Sequence, residues 1–263
     1  MALIAAASGA SAQTSTFTNW QDSSGLVLRP LGGPISDWTV TVGGGLAVLP
    51  AYEGSNSMKL SPAPDVDVRY KDLAYLSVGE GIGVNILRGT NYRAGIGLTY
   101  DTGREHSAAT RLKGTQNIDP APLAKAFAQY AFMPVVFDID IKQALTSYQG
   151  LSADLGVYMP VVGQEKLQVF VGPEVTFANH QYMQAHFGID PQNASSQSTF
   201  HNYGAGGGVK DAKLGATAMY HFDDHWFVDG DVGLERLLGS AIGSPIVQTR
   251  WNMSVDGTIN YTF

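Results

Sequence analysis

The stretch Trp251-Asn252-Met253-Ser254-Val255-Asp256-Gly257-Thr258-Ile259-Asn260-Tyr261-Thr262-Phe263 decides the fold. Every second residue, Trp251, Met253, Val255, Ile259, Tyr261 and Phe263, is apolar, with Gly257 the exception. The residues between, Asn252, Ser254, Asp256, Thr258, Asn260 and Thr262, are all polar. Side chains alternate across a strand, so this is a strand with one oily and one wet face. It exceeds the usual soluble strand of about five or six residues. A membrane-crossing strand needs about 9–11 residues, apolar toward lipid and polar toward a lumen. A soluble sandwich can end on such a strand too, so the rest of the chain carries the decision.

Working outward, the same period recurs. In Val135 to Leu145, Phe137, Ile139 and Ile141 alternate with Asp138, Asp140 and Lys142. In Trp226 to Arg236, Val228, Val232 and Leu234 oppose Asp229, Asp231 and Glu235. Ionised groups alternating with large apolar ones fit a wet lumen better than a dry core. Asp138, Asp140, Lys142, Asp229, Asp231 and Asp256 are therefore expected to face the lumen, where the acids either make an open channel favour cations or fill it by pairing with Arg69, Arg93, Lys142 and Arg250. Further strands are predicted at Trp38 to Leu49, around Val66 to Tyr70, at Ala74 to Leu87, Tyr92 to Asp101, Leu123 to Phe132, Gly150 to Val161, Leu167 to Ala178 and Lys213 to Phe222. Glu80 shares a face with Leu76, Val78, Ile82, Val84 and Ile86, which predicts a bulge at Gly79 or Gly81, or a place near the membrane rim.

Composition agrees. Charged residues make up 15 % of the 263, with no apolar run long enough for a membrane helix. Thirty-one glycines suit curved strands and close turns. The net charge of −7 argues against nucleic-acid binding, which wants a basic stripe. Without cysteine, thiolate chemistry and cysteine metal sites are excluded. At the front, an apolar Met1 to Ala7 and the small-x-small Ala10-Ser11-Ala12 read as a signal peptide, residues 1–12, truncated because a basic start is missing. Residues 13–37 read as a periplasmic lead-in, and 38–263 as the barrel.

Turn lengths alternate short and long, which places Leu237–Val247, Asn179–Asn202 and Thr102–Pro122 on the outside and the termini on the periplasmic side. Eleven strands are evident, whereas single-chain bacterial barrels have even numbers. Either Gly25 to Arg29 adds a twelfth, or the segment holding Pro62 and Pro64 is loop and ten remain, since prolines fit a closed ladder poorly. The expectation is an all-β, closed antiparallel transmembrane barrel of 10–12 strands, with 12 favoured, in the bacterial outer membrane.

The sequence also resembles the MipA/OmpV family of outer-membrane proteins. The matching pieces run in order: Pro50-Ala51-Tyr52-Glu53-Gly54-Ser55, Gly81-Ile82-Gly83-Val84-Asn85, Tyr100-Asp101-Thr102-Gly103-Arg104, Gly172-Pro173-Glu174, Tyr182 to Ile189, Tyr203 to Gly208, Leu237-Leu238-Gly239-Ser240-Ala241, Ser244-Pro245-Ile246-Val247 and Tyr261-Thr262-Phe263. Ser240 departs from the acidic residue usual after Leu-Leu-Gly. The resemblance implies a scaffold that joins a lytic transglycosylase to a penicillin-binding protein in peptidoglycan synthesis. Other members are tied to adhesion, osmotic response or uptake, so a small cation-favouring pore or a surface adhesin is the alternative. Besides outer-membrane lipid, the expected partner is the barrel-insertion machinery, which would read Tyr261 and Phe263 as a terminal aromatic signal.

No catalytic, cofactor or metal site is expected. His221 and His225 around Asp223-Asp224 read as a polar turn, with no third metal ligand in sight. Ser244 with His180, His186 and His201 is the one faint nucleophile–base set. Gly206-Gly207-Gly208-Val209-Lys210 lacks the ending of a phosphate loop and leads into a strand. Tyr182, Met183 and Phe187 are apolar in a loop that should be wet, and either cap the barrel mouth or meet a partner.

Overall fold

The computed structural model describes residues 37–263 apart from 72, 114, 133, 147, 165 and 191–199. The signal peptide, residues 13–36 of the lead-in and the strand considered at Gly25 to Arg29 lie outside the described residues. Twelve antiparallel strands follow one another: β1 Trp38–Pro50, β2 Met58–Tyr70, β3 Ala74–Ser77, β4 Gly81–Arg88, β5 Tyr92–Asp101, β6 Ala121–Phe132, β7 Val135–Ala144, β8 Leu151–Gly163, β9 Leu167–Ala178, β10 Gly208–His221, β11 Trp226–Leu237 and β12 Trp251–Thr262. Each pairs with the next, and β12 returns to β1 from Thr41↔Thr262 to Val48↔Val255, closing the barrel.

Burial runs opposite to that of a soluble protein. Along β12, Asn252, Ser254, Thr258 and Asn260 are buried, while Met253, Val255 and Ile259 are exposed. On β7, Asp140 is 3 % exposed and Phe137 48 %. An apolar exterior around a polar interior is stable only when the surroundings are hydrocarbon. At the short-turn end, Trp38, Tyr92, Tyr130, Phe132, Tyr220, Phe222, Trp226 and Phe263 are all exposed. They form the aromatic girdle favoured at a membrane interface, where rings meet both lipid and headgroup.

The even count arises differently from either expected route. Ala74 to Leu87 is two strands, β3 and β4, joined by a turn at Val78-Gly79-Glu80, with Leu76 opposite Ile82 and Ser77 opposite Gly81. Gly81 takes φ +86°, which a side chain would resist, and a Cβ there would meet the Leu98 carbonyl oxygen at 2.1 Å. The turn carries Glu80 inside to Arg69, 3.2 Å away, which removes the need for a carboxylate on the lipid face.

Pro62 and Pro64 are in a strand after all, because of where their missing N–H groups would point. The carbonyls of Val66 and Tyr70 accept from Val78 and Leu73, on the β3 side, and alternate residues of a strand point the same way. Pro62 and Pro64 therefore face the β3 side too. There β3 reaches only Asp67–Tyr70, so the ladder at the prolines has no donor to lose. With β1 rising from the short-turn end, the loop after Pro50 lies outside.

Candidate functional site

The long connections fold over the outer mouth as a cap with its own apolar core. Tyr52, Leu112, Ile189 and Ile246 form one buried cluster. Met183, Phe187, Ala205, Leu237 and Ala241, with Ala178, form another. At the centre of the cap is a helix that the sequence reading missed, α1, His180–Phe187. Asn179 caps it by accepting from the Tyr182 N–H at 2.9 Å, and the same oxygen accepts from Leu151 N–H at 3.0 Å, tying the helix to β8. Tyr182, Met183 and Phe187 thus cap the mouth.

Polar contacts lock the loops together. Tyr52 donates its hydroxyl to the Ile246 carbonyl at 2.8 Å, and Gly54 N–H to Asn252 Oδ1 at 2.9 Å. Arg104 donates to the His186 carbonyl at 2.7 Å and Arg111 to that of Pro245 at 2.6 Å. Burial depresses the Arg104 guanidinium to about 10. Burial likewise raises the phenols of Tyr52, Tyr148 and Tyr182, and for Tyr148 the Asp101 carboxylate it donates to adds to the effect. The cap also holds a cleft of about 330 Å³ beside Arg104, Tyr148, His180, Gln184 and Asp190.

Beneath the cap the lumen is occupied by paired charges. Lys210 contacts Glu53 and lies 2.8 Å from Asp211 and 4.0 Å from Glu235. Lys213 lies 2.9 Å from Glu174 and 3.7 Å from Asp211. Lys142 meets Asp154 at 3.0 Å, and Lys125 meets Asp140 at 3.3 Å. A β-bulge makes the upper cluster possible: Val209 is opposite Phe177 and Asp211 opposite Thr176, leaving Lys210 as the extra residue. Lys210 and Asp211 are consequently both buried, although they are neighbours in sequence. Buried charges persist only when paired in this way.

Of the residues expected in the lumen, Asp140, Asp229 and Asp231 are buried, and Asp138, Lys142 and Asp256 are half-buried on the same inward parity. Asp229 accepts from Thr258 at 2.5 Å and Asn260 at 3.0 Å; Asp231 accepts from Thr217. The expected cation partners are only partly right. Arg69 holds Asp67 and Glu80, Arg93 donates to Gln129, and Arg250 is exposed on the outer rim. Lys125, Lys210 and Lys213, none of them expected as a partner for these acids, provide most of the pairing. Lys125 was legible from its parity in β6; Lys210 was hidden by the bulge, and β10 starts at Gly208 instead of Lys213.

The remaining candidates are engaged structurally. Ser244 donates to the Phe187 carbonyl at 2.5 Å, while the His186 ring meets the Tyr182 carbonyl at 3.0 Å and Asp101 at 3.5 Å. His180 lies on the Ala205 carbonyl, and His201 is exposed. In the turn after β10, Asp223 accepts from the N–H groups of His225 and Trp226, which hold its carboxyl below the usual range. The His225 ring meets the Thr262 carbonyl at 2.8 Å and stacks on Tyr261. Tyr261 in turn packs edge-on against Phe263, centroids 4.8 Å apart.

A closed antiparallel barrel with an apolar, aromatic-girdled exterior and a charged interior defines an outer-membrane β-barrel protein, placed in the bacterial outer membrane. Within that class, the chain belongs to the MipA family: the family model described as MltA-interacting protein MipA matches residues 42–263. By sequence it matches no curated protein. Among solved structures it is similar to the outer-membrane OmpT of Vibrio cholerae, at 9 % identity and TM-score 0.40 over 86 % of this chain and 97 % of that one. It is similar also to OprD of Pseudomonas aeruginosa, at 11 % identity and TM-score 0.35 over 77 % of this chain and 55 % of that one. These likenesses are too loose to argue from, and the strand ladder itself establishes the barrel.

Proposed function

We propose that this protein is a non-enzymatic scaffold of the outer membrane that serves the peptidoglycan-synthesising machinery through protein contacts. The observation that carries the reading is the cap: fully buried Tyr52, Leu112, Met183, Phe187 and Ile246 lie across the outer mouth, over a lumen spanned by ion pairs. Such a barrel is built to persist as a rigid body more than to conduct or turn over. Ser244 donates to a backbone carbonyl, and among the described residues no imidazole is bonded to it as a nucleophile needs. The family description names an interaction with MltA, and a lytic transglycosylase, with a penicillin-binding protein beside it, is the partner inferred here. Pull-down with the intact barrel from envelope extract tests this. Recovery of both murein enzymes supports it, and recovery of neither contradicts it.

A cation-favouring pore is the second reading, favoured by Asp229, Asp231 and Asp256 in the lower lumen, where Asp231 stands opposite Asp256. Planar-bilayer recording separates the two. The capped barrel should stay closed, and steady cation conductance by the intact protein would favour the pore.

A further inference from the structure

The barrel wall has a lateral notch in its outer half. From Met58 to Asp65, β2 pairs with β1 on one side. On the other it meets no strand among the described residues, because β3 ends at Ser77, opposite Asp67. The far lip is the end of β5, where pairing with β4 stops at Leu98 and Thr99 to Asp101 continue beyond it. The turn Val78-Gly79-Glu80 is the floor, and Tyr100 of the far lip donates its hydroxyl to the Val78 carbonyl at 3.0 Å. At about 3.3 Å per residue, the free edge of β2 runs on the order of 25 Å along the tilted strand.

Three properties say what the notch accepts. Its lips are apolar: Leu60 is 67 % exposed, Leu98 50 % and Ile82 55 %, with Pro62 and Pro64 exposed between them. Of the edge-facing residues Met58, Leu60, Pro62 and Pro64, two have no N–H. That strips donors from an edge that faces hydrocarbon, where an unmet one is costly, and it denies a further strand its ladder. Behind the notch the inward side chains of β2 are small at Ser61 and Ala63, between Lys59 at the outer end and Asp65 near the floor. Thr99 faces inward on β5, and under the floor the Tyr75 and Phe127 rings meet edge-on at 5.9 Å, with Arg69 over the first and Lys125 over the second. Those rings lie where Gly83 and Gly95 leave room: a Cβ at Gly83 would meet the Tyr75 ring at 2.5 Å, and one at Gly95 the Phe127 ring at 2.6 Å.

We propose that this notch is a seat for an acyl chain of an outer-leaflet lipid, entering sideways between β2 and β5. The occupant is a membrane lipid because the opening lies in the wall, below a cap that closes the axial route, and an aliphatic chain needs none of the hydrogen bonds that Pro62 and Pro64 withhold. The seat is a binding function additional to the scaffold role and independent of it.

The chain has no cysteine, so a single one can be introduced cleanly. Bimane is attached to Ala63→Cys behind the notch, to Asp138→Cys inside the far wall, and to Val255→Cys on the lipid face. Each barrel is reconstituted in liposomes whose phospholipid carries a nitroxide on the acyl chain. Quenching at Ala63→Cys should approach that at Val255→Cys and exceed that at Asp138→Cys several-fold. Lengthening the β3–β4 hairpin to the rim should remove it. If Ala63→Cys is quenched no more than Asp138→Cys, the seat does not exist. That comparison needs no change to the hairpin, so it stands even where the lengthened barrel fails to fold. Quenching that survives a folded, lengthened hairpin would also overturn the proposal.

Discussion

Lys210 Nζ lies 2.8 Å from the carboxylate of Asp211, its own neighbour in sequence, because the bulge in β10 turns both side chains into the lumen. The pair joins the barrel to its cap, since the same ammonium contacts Glu53 in the loop after β1. Lys210→Met would leave Glu53, Asp211 and Glu235 without their shared cation. Removing one partner of a buried pair costs about 3–5 kcal/mol, and a loss of that size is expected in urea unfolding from liposomes. A loss under about 1 kcal/mol, the range of an exposed pair, would show that water reaches the cluster.

The inside-out wall predicts a contrast between two sites of similar height. Val232 is 49 % exposed on the lipid face, and Asp256 is half-buried among lumen acids. Val232→Lys should cost about 2–4 kcal/mol, because the ammonium would enter hydrocarbon. Asp256→Lys should cost far less, since it faces Asp231 across the ladder. Equal losses in the same titration would contradict the orientation.

How legible the fold was depended on parity. β12 and β7 could be read directly, since an unbroken period of two is itself the record of a wall with two unlike sides. The β3–β4 hairpin was misread for the same reason. Its turn spans an odd number of residues, so Leu76, Ile82, Val84 and Ile86 keep one parity across it and look like a single strand; only Glu80 broke the pattern. The prolines misled because a closed ladder was assumed at every height, and the notch is a three-dimensional property of unequal strand lengths. The cap was least legible. An eight-residue helix in a polar loop has little periodicity, and its core joins residues as distant as Tyr52 and Ile246.

Phe263 is 72 % exposed and packs on Tyr261, which stacks on His225. The reading of Phe263 as a signal for the insertion machinery predicts that it matters to delivery more than to the finished barrel. Phe263→Ala should lower the amount in the outer membrane while export continues, as read by fractionation. Unchanged outer-membrane levels on deleting Phe263 would remove this role.

The cap should respond to alkali. Burial raises the phenols of Tyr52, Tyr148 and Tyr182 above the ordinary value near 10. A raised folded value means the stabilisation is complete below about pH 10 and is lost as pH climbs through the folded values. Tyrosinate absorbance should rise in two stages, the later one coinciding with opening of the cap. A single stage near pH 10 with the cap intact would contradict the buried geometry.

The most direct measurement concerns which end of the barrel works. A murein partner in the periplasm can reach the short turns, such as those after Tyr70, Arg88 and His221, but not the cap. Two variants are compared for co-purification of the transglycosylase: one with the lead-in and inner turns replaced from an unrelated barrel, the other with the loop between Asn179 and Asn202 shortened. Scaffolding predicts that the inner replacement abolishes co-purification and that the outer shortening leaves it intact. If shortening the outer loop abolishes it and the inner replacement does not, the protein acts outward and the scaffold reading is wrong.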